Sequence, residues 1–110
     1  MGSMKSDDAM WAIVMFDLPV DTKLHRTQAT RYRTYLLNLG FSRIQLSVYA
    51  RYLISAEGVT WLADRIKDGI PAGGSVRLLS VTDNQWTSSL SFEGEKLIPP
   101  ESKPEQLTIF

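Results

Sequence analysis

Met10-Trp11-Ala12-Ile13-Val14-Met15-Phe16-Asp17-Leu18-Pro19 decides how the rest of the chain is read. An unbroken apolar run, rich in β-branched and aromatic side chains, stops abruptly at an aspartate followed by Leu-Pro. A strand with one wet face alternates apolar with polar residues; a continuous run of this length is the pattern of a strand covered on both faces. It is too short to cross a bilayer, since Ala9–Phe16 is eight residues where a spanning helix needs about 20. The stretch therefore reads as the centre of a sheet, and the segments that follow must supply its covers.

After Pro19, Asp21 or Thr22 can cap a helix whose Leu24, Gln28, Tyr32, Tyr35, Leu36 and Leu39 recur at helical spacing, with Gly40 as its stop. Its other face carries Lys23, Arg26, Thr30, Arg31, Arg33 and Thr34. In Phe41–Tyr49 the residues Ile44, Leu46 and Val48 alternate with polar ones, which predicts a second strand, and Ala50–Ile54 returns as its partner. Ser55 precedes a second amphipathic helix through Val59, Leu62, Ala63 and Ile66, ended by Gly69 and Pro71. A Gly73-Gly74 turn leads to a fourth strand, Val76–Val81, that closes at Thr82-Asp83-Asn84-Gln85. The order is the α+β, ferredoxin-like βαββαβ pattern: an antiparallel sheet with both helices on one face.

The first nine residues read as a cloning remnant and flexible N-terminus, residues 10–92 as the domain, and 93–110 as a linker with a docking strand. Pro99, Pro100 and Pro104 predict an extended linker over Leu97–Pro104. Leu107-Thr108-Ile109-Phe110 beyond it is too apolar for a solvated tail and is expected to dock on a sheet edge, its own or a partner's.

The chain has 110 residues, 44% of them hydrophobic, which is enough for one folded core. The absence of cysteine excludes a disulfide scaffold, a thiolate zinc site and a cysteine nucleophile, and agrees with a cytoplasmic location. Twelve basic residues balance twelve acidic ones, which taken as a total argues against a nucleic-acid partner. The total hides a polarity. Residues 22–56 hold Lys23, Arg26, Arg31, Arg33, Arg43 and Arg51 and no acid, and the compensating acids lie mainly towards the two ends. Five of these six are Arg, whose planar fork suits phosphate oxygens; a solvated helix face paired with acids from elsewhere is the plainer account of such a stripe.

Asp17 stands where a central strand ends and reactive side chains commonly meet solvent, although Asp before Leu-Pro is also an ordinary turn opener. One carboxylate is a poor Mg²⁺ site, but two copies brought together by a two-fold axis can hold an ion that activates water towards a phosphodiester. His25 is the lone histidine, so a two-histidine acid/base mechanism within one chain is excluded. Asp83 closes the fourth strand and either joins an acidic site or caps a turn, while Trp86 and Phe92 are expected to pack. Ser47 and Tyr49 are candidate phosphate contacts or supports for Asp17.

Val14-Met15-Phe16-Asp17-Leu18-Pro19, Arg31-Tyr32-Arg33 with Leu36, Leu39-Gly40-Phe41, Gln45-x-Ser47-Val48-Tyr49-x-Arg51 and Gly74-x-Val76-x-x-Leu79-x-x-Thr82-Asp83-x-Gln85 together resemble the second CRISPR-associated protein family. The set, in order from Met10 to Gln85, looks most like members from type II systems. The resemblance implies a ferredoxin-like homodimer that bridges dimers of the integrase subunit, the first CRISPR-associated protein, and supports a short DNA duplex during spacer acquisition. It also implies metal-dependent endonuclease activity on RNA or DNA, with Asp17 as the Mg²⁺ ligand and Arg26, Arg31 and Arg33 on the nucleic-acid side. The final strand is then expected to pair across the dimer or against the integrase. An RNA-recognition module or a small-ligand regulatory domain on the same fold is the alternative, although no closely spaced aromatic pair for stacking bases and no glycine-rich ligand loop stands where it would need one.

Overall fold

The computed structural model describes residues 9–104. Strand β1 (Met10–Asp17) is followed by helix α1 (Lys23–Asn38), strands β2 (Ser42–Gln45) and β3 (Val48–Leu53), helix α2 (Gly58–Asp68) and strand β4 (Ser75–Thr82). The four strands form one sheet in the order β2-β3-β1-β4, with every neighbouring pair antiparallel. This is the ferredoxin-like arrangement expected from the element order.

β1 is central and buried on both faces. Its alternate residues Ala12, Val14 and Phe16 join the main core with Tyr49, Leu53, Ala29, Tyr32, Leu36, Leu62 and Ile66. The intervening Trp11 and Ile13 join a smaller cluster with Ala50 on the face away from α1 and α2. Each large apolar side chain removed from water in this way contributes roughly 1.5–3 kcal/mol.

α1 begins as expected from one of its two candidate caps. Thr22 is the N-cap, its hydroxyl accepting from the His25 N–H at 3.0 Å. At the other end Gly40 takes φ 91°, a left-handed conformation that glycine adopts without a Cβ clash. Gly40 N–H then donates to the Leu37 carbonyl and Phe41 N–H to the Leu36 carbonyl, a Schellman closure that also buries Phe41 against the core. Leu24, placed on the apolar stripe by spacing, is 62% exposed; Ala29 takes part in the core instead.

Two tyrosines fasten α1 to α2. Tyr32 donates its hydroxyl to the Ile66 carbonyl at 3.1 Å and Tyr35 to the Arg65 carbonyl at 2.7 Å. Both bonds satisfy carbonyls near the C-terminal end of α2, where intrahelical partners run out. Close approach is needed there: a Cβ on Gly69 would lie 2.6 Å from the Tyr35 ring.

Four features differ from the sequence reading. The β2–β3 turn falls at Leu46-Ser47, so β3 starts at Val48 rather than Ala50, with a register shift between Arg43 and Gln45. The second helix starts at Gly58, three residues beyond Ser55, with Glu57 as an N-cap that makes no side-chain cap bond; the Ser55 hydroxyl accepts from the Glu57 N–H. Thr82-Asp83-Asn84-Gln85 opens helix α3 (Asp83–Thr87) through a capping box, in which the Thr82 hydroxyl accepts from Gln85 N–H and the Gln85 side-chain oxygen accepts from Thr82 N–H. Part of the expected linker is ordered as a hairpin of strands β5 (Ser91–Glu93) and β6 (Lys96–Ile98), turning on Gly94 at φ 63°. Positive φ at the first turn residue alone is the type II′ pattern. The expected docking strand Leu107–Phe110 and the N-terminal residues 1–8 lie outside the described residues.

Burial, with the Tyr35 hydroxyl nearby, pushes the Tyr32 phenol from 10.0 up to about 12. The folded state therefore favours the neutral phenol. Its stabilising contribution is complete below pH about 10 and is lost as pH rises through about 12. Tyr32→Phe is expected to remove this group's share of the alkaline loss, on the order of 2–3 kcal/mol, while costing about 1 kcal/mol at neutral pH. Urea denaturation of both chains from pH 8 to 12 checks it.

Candidate functional site

Asp17 is the last residue of β1 and the first on that strand whose side chain is exposed. Its position is set from three sides. Leu18, next along the chain, is buried in the core. The β2–β3 turn is tied to the strand by Phe16 N–H donating to the Ser47 carbonyl at 3.1 Å, and Ser75 of β4 is the cross-strand partner of Asp17. Gly74 lets the β4 side approach, because a Cβ there would lie 2.7 Å from Leu18 and 3.1 Å from the Pro71 carbonyl. The carboxylate is thus carried on rigid backbone at a sheet end and turned to solvent.

Ser47 is half-buried in the neighbouring turn and contributes its backbone carbonyl. Tyr49 does not face the site: it is 2% exposed and packs its ring 5.5 Å from that of Phe16 in the main core. A buried ring of this kind supports Phe16 and offers nothing to a phosphate. Asp83 is also remote, because it follows the Thr82 that pairs with Met10, and seven residues of extended strand put it roughly 23 Å from Asp17. Its carboxylate accepts the Trp11 indole N–H at 2.8 Å, and Trp86 stacks on the same indole with ring centroids 5.4 Å apart. Trp86 packs as expected; Phe92, on the β5–β6 hairpin, is 59% exposed.

Among the described residues, no three His, Asp or Glu side chains gather to hold a metal. The donor set that one chain brings to a hard cation at this end is the Asp17 carboxylate, with the Ser47 carbonyl nearby. Mg²⁺ is typically held by one or two carboxylates and keeps several waters.

The basic residues do not form one surface. α1 starts six residues after Asp17, so Lys23 and Arg26 lie at the same end of the molecule, and Arg26 folds back to donate to the Val20 carbonyl at 3.2 Å. Arg33 follows Arg26 after two helical turns and shares its flank; its Nε is buried without a hydrogen-bond partner. Arg31 is two residues from Arg33, hence about 200° round the helix. It lines a depression of about 290 Å³ with Gln28, Tyr35, Gly69 and Pro71, on the side of α1 that meets α2.

Arg43 is exposed on the edge strand β2. Arg51 has a structural partner: its guanidinium donates to the Leu39 carbonyl at 2.8 Å, completing the C-terminal cap of α1. Opposite Ala12, it stands roughly 17 Å along the sheet from the Asp17 end.

The sequence model of the CRISPR associated protein Cas2 family matches residues 10–89. The chain belongs to the Cas2 family. It is 42% identical over 101 residues to the CRISPR-associated endoribonuclease Cas2 of Paracidovorax avenae, covering 92% of this chain and 94% of that one. It is equally 42% identical over 101 residues to the protein of the same name from Parvibaculum lavamentivorans, covering 92% of this chain and all of that one. The corresponding Streptococcus mutans protein is 36% identical over 87 residues, covering 79% of this chain and 80% of its own length. The family assignment and the ferredoxin-like fold agree with the expectation drawn from the motifs.

The geometry separates Arg51 from Arg43. Arg51→Ala is expected to lower the midpoint of urea denaturation by the equivalent of about 1 kcal/mol, because the Leu39 carbonyl is left without its partner. Arg43→Ala is expected to stay within about 0.5 kcal/mol, as for an exposed side chain on a sheet edge. Paired denaturation curves read the difference.

Proposed function

We propose that this Cas2-family chain acts in spacer acquisition as a homodimer that bridges integrase dimers and supports a short DNA duplex, with weak metal-dependent phosphodiester hydrolysis at paired Asp17 residues. The observation that carries this reading is the single exposed carboxylate at the end of β1. Among the described residues no three metal-ligating side chains gather, so the proposed hydrolysis draws on the Asp17 of each of two copies.

The open sheet face supports the dimer. Trp86 covers Trp11, but Met15 and Val81 remain only partly buried and Leu79 is 47% exposed on the same side. Water is excluded from such a face when a second copy packs there. A two-fold axis near the end of β1 then brings two Asp17 carboxylates together. The paired Asp17 carboxylates would hold Mg²⁺, which when bound would supply charge neutralisation at a phosphate and a more acidic water. The protein's part is to hold the carboxylates on rigid strand ends and to bring phosphates within reach through Lys23 and Arg26, which lie at the same end.

Duplex holding rests on the flank of α1 that presents Arg26 and Arg33. By counterion release, removing one phosphate-bound cation lowers the salt dependence of binding by about 1 in slope. Arg26→Ala with Arg33→Ala is expected to flatten the plot of log affinity against log salt by about 2 for a short duplex, while Arg31→Ala alone leaves it nearly unchanged. An equal flattening from Arg31→Ala would place the duplex on the α1–α2 side instead.

Endoribonuclease appears in the names of the relatives, and RNA is the substrate those names indicate. The two roles part at Asp17. Asp17→Ala is expected to abolish Mg²⁺-dependent cleavage of RNA or DNA and to leave spacer integration intact in a reconstituted reaction with the integrase subunit. Loss of integration with dimer and integrase binding preserved would overturn the adaptor role.

A further inference from the structure

The outer groove between α1 and α2 carries aromatic and guanidinium groups that neither the core nor the reading of Asp17 uses. On the α1 bank, the exposed Arg31 lines a depression of about 290 Å³ with Gln28 and the half-buried Tyr35; Gly69 and Pro71 form the opposite bank. Small-ligand sites usually measure roughly 300–1,000 Å³, so this one suits a single flat ring rather than a larger ligand. Tyr35 is held in place there by its hydroxyl, which donates to the Arg65 carbonyl at 2.7 Å. Trp61, Arg65 and Gly69 recur at four-residue spacing and form one row along α2, so the groove runs on from the depression towards the indole. Trp61 is 51% exposed, and the Arg65 guanidinium carbon stands 5.2 Å from the centre of its ring.

We propose that this groove binds a short unpaired stretch of nucleic acid, with bases on Trp61 and beside Tyr35 and a phosphate at Arg31. Single strands are held without regard to sequence by bases stacking on aromatic rings and Arg planes, beside cations that follow the backbone. From Trp61 to Gly69 the row rises about 12 Å, enough for a few nucleotides at roughly 3.4 Å or more per step. The acids of α2 decide which bank takes which part of the strand. Asp64 and Asp68 flank Arg65 and lower the positive potential on the α2 bank, so the phosphate goes to Arg31 across the groove and the bases to Trp61. A blunt duplex fits less well, because its bases are stacked inside and give the indole no face. Neither Asp17 nor the flank of Arg26 and Arg33 takes part, so this surface and the duplex surface hold or fail separately.

The test titrates the full chain with end-labelled octathymidylate, octauridylate and a short blunt duplex, read by fluorescence anisotropy. Whichever single strand binds more tightly shows which sugar the groove takes; binding of neither overturns the inference. Trp61→Ala is expected to weaken that probe roughly 5-fold or more, the effect of losing one stacked base, and Trp61→Phe, which keeps a π face, to recover most of the loss. Arg31→Ala is expected to flatten the probe's plot of log affinity against log salt by about 0.7, the share of one phosphate on a single strand. An unchanged affinity in Trp61→Ala, or an equal loss for the blunt duplex, overturns the inference. Octaglutamate carries charge without a π face and is expected to compete poorly; equal competition would give the groove to an acidic peptide and overturn the inference. The unsubstituted chain gives a readout that does not depend on how a variant folds. A base stacked on the exposed Trp61 is expected to quench tryptophan fluorescence as the probe saturates, and an unchanged signal at saturation overturns the inference.

Discussion

The burial of β1 on both faces is the constraint on which the rest of the molecule depends. A strand with Ala12, Val14 and Phe16 on one side and Trp11 and Ile13 on the other is stable only with apolar cover on each. α1 and α2 supply one cover. The other is partial: α3 folds back so that Trp86 stacks on Trp11 while Asp83 accepts the Trp11 indole N–H, and the remainder of that face is left for something outside the four strands. The same burial defines Asp17, because it is the point at which the strand leaves the core.

The helices hold their places through polar contacts at their ends as well as through the core. Tyr32 and Tyr35 reach from α1 to carbonyls in the last turn of α2, and Arg51 reaches from β3 to the carbonyl of Leu39, the C-cap of α1. These bonds consume groups that a tally of charges or hydroxyls treats as free. They also orient α1 so that Arg26 and Arg33 face away from α2 while Arg31 faces towards it. A basic stretch that looks uniform in sequence is therefore divided by the helix that carries it.

The placement of Asp17 bears on how a Cas2-family chain relates to chemistry. Its carboxylate is exposed at the end of a buried strand, and among the described residues it belongs to no cluster of three metal-ligating side chains. The buried, unpartnered Nε of Arg33 and the partly buried Met15 and Val81 are the other groups that one chain leaves incompletely satisfied.

Much of this was legible in the amino-acid order, and the boundary has physical causes. The apolar run Met10–Phe16, the Thr22 cap and the Gly40 stop act locally, through strand pattern and helix-end hydrogen bonds, so they could be read from neighbouring residues. The Thr82–Gln85 capping box was equally visible in its spacing, although it reads there as a strand end. The β2–β3 turn had no glycine signal, and its place was set by pairing with β1, where Val48 meets Met15. Tyr49 and Arg51 sit on one strand in a motif that reads as functional. Tertiary packing alone turned the first into the core beside Phe16 and the second onto the Leu39 carbonyl. By itself the sequence determined the elements, the central strand and the aspartate at its end. Which charges stay available, which hydroxyls are spent and which face remains open were decided by the tertiary structure, because those depend on groups far apart in the chain meeting in space.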